Sequence, residues 1–161
     1  MKKVLGLIVV MLCMACSKDD KVEDSNSFKV DIDGVTFTSK QTIAQLVGGL
    51  TDAFSIVATS ASGSGETVTL NINFASATDF TEGTFSLTGT NLSSIIYTSS
   101  SSATSSFIDT NTGQIVITSL DATGLVASGT FKGTAVDLQT GNTVELTNGT
   151  FTNIKYIKTT L

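Results

Sequence analysis

Fourteen acidic side chains, nine lysines and not one histidine or arginine limit what this 161-residue chain can catalyse. Acyl transfer through a Ser-His-Asp triad has no base. A histidine-ligated zinc has no ligand. A serine–lysine pair would have to use Lys29, Lys40, Lys132, Lys155 or Lys158, and no local spacing suggests one. Carboxylates remain. Glycoside hydrolysis needs only two of them at the right separation, and the candidates are Asp79 with Glu82 and Asp109 with Asp121. Calcium prefers oxygen ligands in a tight loop. Asp109-Thr110-Asn111-Thr112-Gly113 places two side-chain oxygens at alternating positions, so Asp109 and Asn111 are the candidate calcium ligands. No acid follows at the distance of the closing Glu of an EF-hand, and Asp/Asn-Gly loops also form plain hairpins. Asp31 and Asp33 admit the same two readings, and a turn at Asp33-Gly34 already accounts for Asp33. Tyr97 precedes a Ser/Thr run, Thr98 to Ser106, broken only by Ala103. A ring beside many hydroxyls suits a sugar; a solvated loop explains the run more simply.

The elements that must position these groups read as strands. In Thr67-Val68-Thr69-Leu70-Asn71-Ile72-Asn73-Phe74 the apolar residues alternate strictly with polar ones, the signature of a half-buried antiparallel strand. Phe28, Val30 and Ile32 alternate likewise, as do Val35 and Phe37, and the intervening Asp33-Gly34 predicts a hairpin. Similar stretches recur at Phe54–Thr59, Thr84–Thr88, Ser94–Thr98, Gln114–Leu120, Leu125–Asp137, Thr143–Thr147 and Thr150–Ile157. In the last, the apolar phase slips between Phe151 and Ile154, which predicts a bulge near Asn153. Ile43, Leu46, Val47 and Leu50 have helical spacing, although Gly48-Gly49 weakens a helix there. A Gly-Thr-Phe triplet occurs at 83–85, 129–131 and 149–151, where the glycine is expected to permit a bend and the phenylalanine to fill the core. The expected fold is all-β: an antiparallel β-sandwich or flattened meander barrel of about nine or ten strands, with room for one short helix.

Lysine is absent between Lys40 and Lys132, which argues against nucleic acid as a partner, since phosphate contacts need a basic surface. Both cysteines, Cys13 and Cys16, lie near the N-terminus, leaving the body without disulfide, thiolate metal site or thiol nucleophile. Its core must hold it. A domain of this length buries about 70% of its unfolded surface, which is enough.

The N-terminus carries chemistry of another kind. Met1-Lys2-Lys3 and an apolar run from Val4 to Ala15 precede Cys16, too short a run for a spanning helix. This resembles a bacterial lipoprotein export signal, with Ala15 as the small residue before the cut; Cys13 stands where such signals usually carry Leu. The resemblance implies lipidation of Cys16, and two or three acyl chains make a stable anchor. Ser17-Lys18-Asp19-Asp20 resembles the surface-export tag of Bacteroidota lipoproteins, which implies that Lys18, Asp19 and Asp20 direct the protein to the outside of the outer membrane. Losing Lys2 and Lys3 with the signal takes the formal charge from −5 to −7. The expected organisation is a signal peptide at 1–15, the lipidated cysteine and a flexible tether at 16–26, and one β-domain at 27–161.

The stretch from Gly113 to Tyr156 is similar to a group of uncharacterised small outer-membrane lipoproteins of Bacteroidota. The likeness rests on Gly129-Thr130-Phe131, the Thr140-Gly141-Asn142 turn and Asn148-Gly149-Thr150-Phe151, together with Asp31-Ile32-Asp33-Gly34 as an opening hairpin. That family brings no activity. The expected role is a lipid-anchored, non-catalytic domain with an accessory binding or structural task at the envelope. It would need no cofactor unless calcium, and its partner would be a glycan or an envelope protein. An apolar-ligand carrier and a carboxylate-based glycoside hydrolase are the alternatives.

Overall fold

The computed structural model describes residues 26–49, 52–88, 92–99, 106–109 and 111–160. Ten strands follow one another: β1 (Ser27–Ile32), β2 (Val35–Gly48), β3 (Asp52–Ser60), β4 (Thr67–Phe74), β5 (Gly83–Ser86), β6 (Ser94–Thr98), β7 (Ser106–Asp109), β8 (Gln114–Asp121), β9 (Val126–Asp137) and β10 (Thr143–Thr160). All belong to one sheet, and it closes on itself: β10, β2, β3, β4, β6, β7 and β9 form a ring that returns to β10. β1 is wedged between β10 and the start of β2, while β8 lies along the first part of β9 and carries β5 as the edge. Every pairing is antiparallel except one. Tyr156–Thr160 of β10 runs parallel to Ala44–Gly48 of β2 and seals the ring.

The expected all-β fold is present, and its closure is that of a barrel. The short helix is not. Residues 35–48 form β2, and the spacing that suggests a helix comes from apolar side chains on both of its faces: Leu46 points into the barrel while Ile43 and Val47 lie on the outer face, Ile43 being exposed. Separately, a register shift between Ser39 and Gln41 changes the inward phase from Phe37 to Ala44 and Leu46. The Asp33-Gly34 hairpin is present with both residues at positive φ (49° and 81°), and the bulge at Asn153 (φ 51°) accompanies a register shift between Phe151 and Ile154. A second shift between Leu146 and Gly149 lets the two expected strands at 143–147 and 150–157 run on as one.

The Gly-Thr-Phe triplets lie in a single row across the sheet. Gly83 opposes Ile117, Ile117 opposes Gly129 and Gly129 opposes Phe151. Two residues along, Phe85, Ile115, Phe131 and Gly149 do the same. A Cβ on Gly129 would come within 2.4 Å of the Phe151 ring, and one on Gly149 within 2.8 Å of the Phe131 ring. So in β9 and β10 each glycine makes room for the other strand's ring, rather than a bend.

Inward side chains fill the middle of the ring. Phe28, Ile56, Leu70, Ile95, Ile117 and Leu146 are all essentially inaccessible to solvent, as befits a barrel of this strand number. One end, the floor, is sealed by aromatic rings. A 3-10 turn at Ala77–Asp79, capped by the Ser76 hydroxyl, delivers Phe80 beneath the barrel. There Phe80 stacks on Phe54 at 4.4 Å and meets Phe74 and Tyr156 at 5.4 and 6.0 Å.

Candidate functional site

The opposite end is open. Three described connections meet there, β1 to β2, β3 to β4 and β9 to β10, beside the paired ends of β6 and β7 at Thr98 and Ser106. Between them lies a half-open cavity of about 670 Å³, within the size range of small-ligand sites. Its apolar lining comes from Ile32, Val35, Phe37, Phe107 and Val144, and its polar lining includes Asp33, Ser60, Ser62, Glu66 and Tyr97. None of the described lining residues is basic.

The polar side of this mouth is built by the segment Ser60-Ala61-Ser62-Gly63-Ser64-Gly65-Glu66. Gly63 and Gly65 take positive φ (72° and 79°), which turns the chain while alternate side chains reach one another. Ser62 donates to Ser64 at 2.8 Å and Ser64 donates to Glu66 Oε2 at 2.7 Å. A hydroxyl has one proton, so the 2.7 Å bond between Ser60 and Ser62 has Ser60 as donor. Tyr97, reaching in from β6, donates to Glu66 Oε1 at 2.7 Å and stacks on Phe107 with centroids 5.9 Å apart. Burial, then the bond to Glu66 and its charge, push the Tyr97 phenol up to about 12. Glu66 thus accepts two hydrogen bonds and anchors a proton-ordered chain along one side of the cavity.

The outer surface of the neighbouring strands has a different character. From residues 41–47, 53–59, 67–73, 94–98 and 106–108 not one charged side chain emerges. Across this wall Ile43, Val57, Thr69, Ile96, Ile108 and Val136 stand opposite one another in register, a row of β-branched side chains. Beside it Ser55 donates to Asn71 at 2.9 Å and Asn71 donates to Ser94 at 3.2 Å.

The acids singled out by sequence occupy separate places. Asp109 ends β7 and is buried. Its carboxylate accepts from the backbone N–H of Asn111 and Thr112 (both 2.9 Å), the Thr112 hydroxyl (2.9 Å) and the Thr134 N–H (2.8 Å). This is a structural fork: β9 leaves β8 after Lys132 and joins β7 at Val136, and Asp109 takes the N–H between. Cβ atoms on Gly113 or Gly133 would collide with that carboxylate. Asp137, which sequence reasoning passed over, repeats the device in Asp137-Leu138-Gln139-Thr140-Gly141, accepting from Gln139 N–H and the Thr140 hydroxyl at 2.8 Å each. The shared Asp-x-x-Thr-Gly spacing was the available signal. A cation at Asp109 and Asn111 would compete with four donors, and among the described residues no three acids, cysteines or histidines converge on a metal-sized space.

Asp121 lies at the far end of β8 from Asp109 and caps its own turn through Thr123 and Gly124 N–H, so this pair does not converge. Glu82 accepts from Leu120 N–H at 3.0 Å, and Asp79 is exposed in the 3-10 turn. Asp31 accepts from Asn148 and Thr36, which hold its carboxyl below the ordinary value, and Asp33 accepts from Glu145 N–H at 2.8 Å. Cys16, Lys18, Asp19 and Asp20 lie outside the described residues. Of the sequence candidates only Tyr97 and Asp33 reach the mouth.

Fold and mouth together define an all-β, ring-closed domain with a packed barrel and a cavity at one end. The chain belongs to the family described as domain of unknown function DUF6252, whose match covers residues 24–155. No curated protein and no solved structure matches it.

Proposed function

We propose that this is a lipid-anchored outer-membrane protein, held by acylated Cys16 and displayed on the cell exterior, whose barrel is a non-catalytic binding module. The observation that carries the binding role is the mouth cavity, with an apolar lining on one side and the Ser60–Glu66–Tyr97 hydrogen-bond chain on the other. Such a mixture of apolar surface and a few oriented polar groups suits a small ligand with an apolar body and a hydrogen-bonding head. The membrane address rests on the lipoprotein-like signal and the Lys18-Asp19-Asp20 tag. It is tested by acyl-chain labelling of wild type against Cys16→Ala, and by protease shaving of intact cells with Lys18, Asp19 and Asp20 changed to Ala. Labelling that survives Cys16→Ala would end the anchor reading, and protection of the wild-type domain would end surface display. The binding role is tested by native mass spectrometry of protein recovered from its own cells. A bound small molecule is expected, and Val35→Trp at the rim should reduce its occupancy.

A second reading is favoured by the charge-free wall: a neutral glycan lying across β2, β3, β4 and β6, with hydroxyl and amide groups flanking the Ile43–Val57 row. A glycan array probed with wild type and with Ile43→Glu separates it from the mouth, since a mouth ligand is indifferent to that change.

A further inference from the structure

We propose that the mouth selects a small organic ammonium ion, an amine or quaternary amine with an apolar body; this rests on the mouth being the ligand site. Two carboxylates, Asp33 and Glu66, line the same cavity as three aromatic rings, Phe37, Tyr97 and Phe107, and no lysine joins them. Aromatic faces and anionic groups both attract a cation, and more strongly when water is partly excluded. An anionic ligand such as a fatty acid would meet two like charges and no partner. A neutral ligand would gain the apolar contacts alone. The two acids act on one spot: the charges of both Glu66 and Asp33 oppose ionisation of the Tyr97 phenol. Each is also held by hydrogen bonds that do not depend on a ligand, Glu66 by Tyr97 and Ser64, and Asp33 by Glu145 N–H. The negative field is therefore built into the empty protein rather than assembled on binding.

The test is calorimetric titration of the full-length protein with 4-phenylbutylamine, 4-phenylbutanol and 4-phenylbutyrate, which share a body and differ in head. The amine should bind about tenfold more tightly than the alcohol, with no saturable binding of the carboxylate. Asp33→Asn, which keeps the oxygen that accepts from Glu145 N–H, and Glu66→Gln, which keeps one of its two accepting oxygens, should each weaken the amine several-fold and leave the alcohol unchanged. Alcohol equal to amine, or a preference for the carboxylate, overturns the ammonium assignment while leaving the mouth as a binding site. Absence of saturable binding by all three overturns both. Because the three-ligand comparison is made on wild type, the outcome does not depend on either variant folding.

Discussion

The two ends of the barrel are made from the same sheet and do opposite things. At the floor, Phe54, Phe74, Phe80 and Tyr156 pack ring against ring. At the mouth the rings of Phe37, Tyr97 and Phe107 line a cavity, and the remaining surface is given to hydroxyls and two carboxylates. The difference lies in one segment. Residues 75–82 fold back under the floor and insert Phe80, whereas the mouth connections, rich in Ser, Gly and Asp, bond to themselves and stay at the rim. Stability is thus expected to reside at the floor and selectivity at the mouth.

The largest expected effect breaks the floor. Phe80→Ala removes a buried ring that touches three others and should cost about 3–5 kcal/mol in chemical denaturation; a loss under about 1 kcal/mol would mean the floor is not a plug. Between the ends, Asp109→Ala strips the fork of its acceptor and leaves the Thr134 N–H and the turn donors without it, a loss of about 1–3 kcal/mol. Calcium added to wild type should leave the denaturation midpoint unmoved if those donors are the carboxylate's true partners.

The chain has two tyrosines, one at each end, so alkaline titration followed by phenolate absorbance sharpens the comparison. Tyr97 is pushed up to about 12, and Tyr156 is raised by burial and then by the charge of Asp121. Because the fold favours the protonated phenols, their contribution is complete below pH about 10 and, for Tyr97, is lost as pH rises through about 12. Tyr97→Phe should abolish the step near pH 12; a wild-type step at the ordinary value would place Tyr97 in water. The smallest effect is Ser62→Ala at the rim, within about 0.5 kcal/mol in denaturation because its neighbours reach solvent.

Local pattern carried most of the strands, the Asp33-Gly34 hairpin and the Asn153 bulge, because each depends on a few adjacent residues; the four-residue β7 beside the Ser/Thr run was not among them. The β2 bulge was hidden because Lys40 looks like any polar strand residue, and apolar side chains on both faces of β2, Ile43 and Val47 outside and Leu46 inside, gave the strand a helix-like spacing. Ring closure was illegible for another reason: nothing near Tyr156 names Ala44 as its neighbour. The same holds for the site. Tyr97 could be singled out beside its hydroxyl run, but its partner Glu66 lies 31 positions away and is brought opposite only by the β4–β6 register. Asp109 and Asn111 looked like a cation loop because an Asx turn and a calcium loop draw on the same oxygens.

The parallel seam between β2 and β10 also bears on when this protein can exist as a folded object. Asp33 and Glu145, bonded at the opposite end of β10, are 112 positions apart, and the seam itself joins residues 44–48 to 156–160. No ring is complete until that final stretch has been synthesised, and barrels dominated by such distant pairings form slowly, in milliseconds to seconds. A growing chain of this design cannot close its barrel before residues 156–160 have been made, so the closing step is reserved for the finished polypeptide.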